Sequence, residues 1–367
     1  MQSQPPNPRK WKLLEARTPG KGSGRTVCIA NQKGGVGKTT TSVNLAAALA
    51  LRGHRVLVID IDPQANATTG LGVDYRSLEL STYDLVMGEA SLEEVVVETA
   101  IRGLHCAPSS VDLAGAEVEL AGEMARELKL RLTLENADER YDIVFVDCPP
   151  SLGLLTINAL AAAHDLIVPV QCEYYALEGL GQLLGNAERV RRALNPDLRI
   201  AGFLLTMYDA RTNLAEQVAD EVREHFGELV FGTIIPRSVR LSEAPSFGEP
   251  VLTLDPGARG SVAFRLLAAE VEDRYGLASV PPPPPQAEVP TQAAAGRDNR
   301  VNTGPASAPA EPQEKVASPA APGPGGRGYG AVAPEPSGME RMWPPANPWT
   351  ESPGEADGGT GTAGGQW

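Results

Sequence analysis

One stretch constrains this chain more than any other: Gln32-Lys33-Gly34-Gly35-Val36-Gly37-Lys38-Thr39-Thr40, set between the apolar run VCIA (27–30) and the Ala/Leu-rich segment TTTSVNLAAALALRG (39–53). Glycines let several backbone N–H groups turn toward one anion, and a helix starting directly after them points its positive end at the same place. A strand, a glycine loop and a helix in that order are the context a phosphate-binding loop requires. In such a loop Lys38 reaches the β- and γ-phosphates and the Thr39 hydroxyl ligates Mg²⁺. The match to G-x-x-x-x-G-K-[ST] is incomplete, because Gln32 replaces the first glycine, and the loop gains a second lysine, Lys33. The plainer alternative is a glycine-rich βα turn that holds nothing.

The segments that follow extend the same alternation. VLVID (56–60), YDIVFVD (141–147), DLIVPV (165–170), IAGFLLTM (200–207) and LVFGTII (229–235) read as strands. Helical stretches lie between them at about 113–136, 151–163, 176–194 and 212–226, with a last helix at about 258–275. Gly53 suits the end of the first helix. Residues 71–104 give only short helices, with a strand near 103–107. Strands apolar on both faces that alternate with helices predict a mostly parallel sheet covered on both sides, an α/β fold of the P-loop type.

Composition sets the limits of that domain. Residues 281–367 hold 18 of the 32 prolines and show no periodic apolar pattern, so the tail is expected to be disordered. Residues 1–24 are polar, proline-containing and basic, and are expected to behave alike. The remaining 25–280 suffices for one large core. The head carries +4 and the tail −4, so the core itself is −14. An acidic core argues against a wrap-around nucleic-acid binder but leaves room for a small basic patch. No run of 18 apolar residues exists, and the first residues lack the apolar stretch of a secretory signal. Cys28, Cys106, Cys148 and Cys172 show no metal-ligand spacing, which predicts free thiols in a reducing, cytoplasmic setting. His54, His105, His164 and His225 are isolated and read as packing or surface residues.

Two further carboxylate motifs fall where ligands bind in an open parallel sheet, beyond the C-terminal ends of strands. Asp60-Ile61-Asp62-Pro63-Gln64-Ala65-Asn66 follows the second strand, and Asp147-Cys148-Pro149-Pro150 follows the apolar run 143–146. A carboxylate of the first motif is a candidate for positioning water or the Mg²⁺ shell, against the alternative of an Asx/Pro turn facing solvent. Asp147 is a candidate Mg²⁺ ligand, against the alternative of a cap on the following helix.

Taken in order, IANQKGGVGKTTTSVNLAAAL, DIDPQANATTGLG, FVDCPPSLGLLTINAL, LLTMYDARTNL and IIPRSVRLSEAPSFG resemble the ParA/Soj chromosome- and plasmid-partition ATPases of the deviant Walker A group. The resemblance covers about residues 26–276. It departs at Ala65, where a glycine is common, and at Phe247, where a histidine is common.

The resemblance implies an ATPase that uses ATP and Mg²⁺. Lys33 would cross to the phosphates of a second subunit in an ATP-sandwich homodimer, and Asp62 would orient the attacking water. Residues 33–40 (Lys33, Gly34, Gly35, Val36, Gly37, Lys38, Thr39, Thr40) would hold the nucleotide phosphates, with Thr39 and Asp147 on the metal and Pro236 and Arg237 near the base. It further implies non-specific DNA contact by Arg211 and Arg240, a ParB-type DNA-binding partner and a nucleoid-associated place in the cell. Read from the residues alone, Arg211 is more simply a surface arginine, solvated or paired with a carboxylate such as Asp209.

Relatives with other duties fit less well. MinD-type membrane cycling needs a basic amphipathic C-terminal helix, whereas proline follows soon after Tyr275-Gly276. A nitrogenase-type iron protein needs cysteines at other positions. An ATPase of the same group that localises a protein cargo remains the alternative.

Overall fold

The computed structural model describes residues 24–173 and 179–277. The expected head and tail, Gly24 aside, lie outside the described residues. Seven strands form one sheet: β1 (Arg25–Ile29), β2 (Val56–Asp60), β3 (Val97–Glu98), β4 (Leu104–Ala107), β5 (Ile143–Asp147), β6 (Asp165–Gln171) and β7 (Arg199–Thr206). Their order is β3-β4-β2-β5-β1-β6-β7. Every pairing is parallel except that of the short edge strand β3 with β4.

Every residue of β2 and β5 is buried, as expected for strands covered on both faces. The pleat sends alternate residues to opposite sides. Val27, Ile29, Val56, Val58 and Phe145 join one apolar cluster with α1 (Lys38–Leu51) and the C-terminal helix α5 (Arg259–Tyr275). Cys28, Leu57, Ile59, Val144 and Val146 join the other, under α2 (Leu154–Ala162), α3 (Leu180–Ala193) and α4 (Asn213–Phe226). The sheet therefore separates two cores, and its parallel strands bring the loops after β1, β2, β5, β6 and β7 to one edge.

Two sequence expectations are corrected. The segment 229–235 is not a strand. It makes bridges only at Val230 and Pro236, with Phe231 N–H and Ile235 N–H donating to the Phe203 and Leu205 carbonyls. Between those points the Gly232 and Thr233 N–H groups donate to the Glu270 carboxylate, and Arg274 donates to the Val230 and Ala201 carbonyls while lying over the Phe231 ring. Side chains of α5 thus take the backbone groups that a ladder would have used.

The stretch 113–136 is not one helix either. It breaks into Leu113–Glu119, a 3₁₀ turn at Leu120–Gly122 and Lys129–Thr133, with Ala125 at φ 53°. Buried Asn158 of α2 satisfies the break, donating to the Arg126 carbonyl and accepting from Leu130 N–H. Among the described residues no helix is long and apolar enough to cross a membrane.

Candidate functional site

The loop between β1 and α1 is shaped by its glycines and tied down on both sides. Gly35 and Gly37 take φ 73° and 92°, left-handed values that favour glycine. Asn31 donates to the Pro169 carbonyl and accepts from Lys33 N–H, and the Thr206 hydroxyl donates to the Val36 carbonyl. Gly37 caps α1 with no side chain to accept from the first-turn N–H groups. Those donors, and the positive end of a 14-residue helix, are left for an anion.

The two lysines of the loop differ. Lys38 is buried, and its ammonium donates to the Lys33 carbonyl at 3.2 Å. Burial pulls its pKa down, against the pull of Asp147, Cys148 and Asp62. Such a group gains from a phosphate beside it. Lys33 is half-buried along its length, and its ammonium has no hydrogen-bond or ion-pair partner among the described residues.

The carboxylates stand at the ends of neighbouring strands. Asp60 and Asp147 pair in register across β2 and β5, and both are fully buried. Asp147 accepts from the Thr39 hydroxyl at 2.7 Å and from the Ser42 hydroxyl at 2.6 Å. Burial, followed by the charge of Asp60, pushes Asp147 up to about 7. Burial likewise pushes Asp60 up to about 6, although it accepts from Asp62 N–H, Thr68 N–H and the Thr68 hydroxyl. Two buried acids beside a threonine hydroxyl form a hard-oxygen set short of positive charge, and Mg²⁺ fits that chemistry. Asp62 is buried one turn on, where its carboxylate accepts from Gln64 N–H and its carbonyl from the Ser109 hydroxyl. Ala65 stands in a left-handed conformation at φ 52°, a physical reason for the glycine common there in the family.

A cleft of about 110 Å³ opens beside Gly37 and Thr40, walled by Thr206, Met207, Pro236 and Arg237. Its two walls are joined by backbone: Tyr208 pairs with Pro236, and Arg237 N–H donates to the Tyr208 carbonyl. The structure thus brings residues 33–40, Asp62, Asp147, Pro236 and Arg237 to one edge of the sheet. The two DNA candidates are exposed arginines, each held in ion pairs. Arg211 forms a two-pronged pair with Asp209, and Arg240 pairs with Glu243 and Asp255.

The sequence places Asp60 in the carboxylate motif without giving it a role of its own, and it does not single out Ser42 or Ser109. Asp60 was visible as a second acid in DIDP. The two serines carry no motif of their own and are found only through their contacts.

A family model described as an AAA domain matches residues 24–200. The sporulation initiation inhibitor protein Soj of Bacillus subtilis is 53% identical over 248 residues, 68% of this chain and 98% of that protein. This chain belongs to the ParA/Soj family of chromosome-partitioning ATPases. The chromosome partitioning protein ParA of Caulobacter vibrioides is equally similar, 53% identical over 252 residues, 68% of this chain and 94% of its own length. Among solved structures, cobyrinic acid a,c-diamide synthase of Mycobacterium smegmatis with a bound ATP analogue and magnesium is 38% identical with TM-score 0.61, covering 71% of this chain and 99% of that one. MinD of Pyrococcus horikoshii, complexed with Mg-ADP, is 28% identical with TM-score 0.57, covering 69% and 97%. As a ParA/Soj ATPase, the chain hydrolyses ATP with Mg²⁺ as its metal.

Proposed function

We propose that this ParA/Soj ATPase forms an ATP-sandwich homodimer that binds DNA without sequence preference and releases it on hydrolysis. A ParB-type DNA-binding protein would stimulate that hydrolysis, so that cargo DNA is segregated in the cytoplasm over the nucleoid. Lys38 and the free N–H groups of the loop 33–40 would hold the phosphates, Thr39 and Asp147 would hold Mg²⁺, and Pro236 and Arg237 would flank the base. Mg²⁺ held there would offset the negative charge of the phosphate oxygens. Asp62 accepts a hydrogen bond from the attacking water and orients it.

The observation that carries this reading is the difference between the two loop lysines. Lys38 is buried and turned into its own loop, while Lys33 presents a cation with no partner among the described residues. A second cation at each transferring phosphate stabilises the charge that develops there, as an arginine finger does. Lys33 fills that role when a second subunit faces the first. Arg211 and Arg240 then appear twice per dimer. A few phosphate contacts on an acidic protein make binding weak, salt-sensitive and dependent on the doubling.

The test is binding of the full chain to random-sequence duplex DNA with ATP, ADP or no nucleotide. The expected result is binding with ATP alone, lost in the Arg211→Glu plus Arg240→Glu protein while ATP still dimerises it. DNA affinity that survives both changes, or that ignores nucleotide, contradicts the reading. ATP-dependent recruitment of a protein with no DNA binding would favour the cargo-localising alternative.

A further inference from the structure

We infer that Asp209 is a built-in counter-charge on the DNA-contacting loop: it occupies the Arg211 guanidinium and holds down DNA affinity in every nucleotide state. The inference rests on the reading of Arg211 as a phosphate contact.

The loop is built to hold the carboxylate, not the arginine. After β7 the chain passes through Met207 at φ 52°, and Tyr208 is fixed by its pairing with residues 235–237. Asp209 follows directly. Its carbonyl accepts from Thr212 N–H and the Thr212 hydroxyl, both at 3.0 Å, and its side chain accepts from Arg211 N–H at 3.1 Å. Thr212 thus fixes the Asp209 backbone and the Arg211 N–H ties its carboxylate to the turn, with 21% of the Asp209 side chain exposed against 86% for Arg211.

Arg211 lies on that acid through two prongs, Nε to Oδ1 at 2.8 Å and Nη2 to Oδ2 at 2.6 Å. The same planar fork grips a phosphate. A DNA phosphate must therefore compete with Asp209 for those donors, and it meets a fixed negative charge beside the arginine it seeks. The separation is far inside the screening length of about 8–10 Å near physiological salt. The hydrogen bonds from Arg211 hold the Asp209 carboxyl below the usual carboxylate range, with Arg237 adding to the effect, so the opposing charge is present at neutral pH. Arg237 offers no surplus, because it pairs with Glu173 at 2.7 Å. The partners of Arg240, Glu243 and Asp255, are more exposed, at 43% and 38%. Asp209 is the anchored one.

Asp209→Asn removes the charge and keeps an oxygen to accept from Arg211 N–H. Asp209→Ser, which retains a short oxygen acceptor, is the second variant should the first fold poorly. Both are made in the full chain and titrated with a random-sequence duplex across a salt series in ATP, ADP and no nucleotide. We expect affinity to rise about 3- to 10-fold per subunit at low salt, with the log–log salt slope steeper by about one unit per subunit. In an Arg211→Ala background the gain should shrink to less than half. Asp220→Asn, an exposed acid paired with Arg223, controls for net charge and should change little.

Unchanged affinity and slope in both Asp209 variants, with the wild-type chain binding DNA, would overturn this inference and leave the DNA reading standing. A gain that persists without Arg211 would also overturn it. Failure of every protein to bind DNA in any state would remove the DNA reading itself, and the inference with it.

Discussion

Asp60 and Asp147 show how a single buried charge organises this site. Neither acid touches solvent, and each is held by hydroxyl or amide donors instead of a lysine or arginine. The Ser42 hydroxyl is one of the two groups that donate to Asp147. Ser42→Ala should therefore cost about 1–3 kcal/mol of stability in the unliganded protein, read by urea denaturation, because it strips a donor from a buried acid. Asp62 stands apart from that pair. Among the described residues its carboxylate accepts one hydrogen bond, from the Gln64 N–H. Asp62→Ala should still bind ATP and dimerise, yet turn over about 10²-fold or more slowly in a steady-state phosphate-release assay. Near-normal turnover would move the water-orienting role to another acid. The glycine loop, Asp62 and Asp147 were legible because each sits at a strand end in a recognisable motif. Ser42 was not, because a serine inside a helix has the same appearance whether it faces solvent or a carboxylate. Arg211 was legible as a residue with two readings, and the structure shows its pairing with Asp209.

At the scale of elements, the sequence failed where backbone partners come from side chains. Residues 229–235 have the apolar run of a buried strand, and period alone cannot tell a laddered segment from one hung on Glu270 and Arg274. The close approach leaves a mark at Gly202. A Cβ there would stand 2.7 Å from the Leu229 carbonyl oxygen and from the Phe231 ring, and 2.9 Å from Arg274 Nη1. Gly202→Ala should accordingly destabilise the fold by about 1–3 kcal/mol in thermal or urea melts. No loss would mean that this segment can shift away from β7. The stretch 113–136 misled for a related reason. Its Ala, Leu, Glu and Arg content favours helix, but the break that Asn158 stabilises is a tertiary contact. The strands β1, β2, β5, β6 and β7 were read correctly because burial on both faces writes itself directly into composition.

For the whole molecule, composition and family similarity point to the same part of the chain. The matches to the partitioning relatives cover about 68% of the chain, and the family model lies within residues 24–200. Residues 281–367 hold more than half of the prolines and have no apolar period. Their deletion should leave ATPase rate and melting temperature nearly unchanged, with DNA affinity equal or slightly higher at low salt because the segment is net acidic. A markedly lower melting temperature would show that this segment packs on the ATPase domain. If Lys33 acts across a dimer, light scattering of the Lys33→Ala protein will show it. With ATP and Mg²⁺ at saturating concentration, the wild-type chain should scatter as a dimer. The variant should stay monomeric while still binding labelled ATP, because Lys38 and the loop N–H groups remain in place. A normal ATP-dependent dimer of Lys33→Ala would contradict the account.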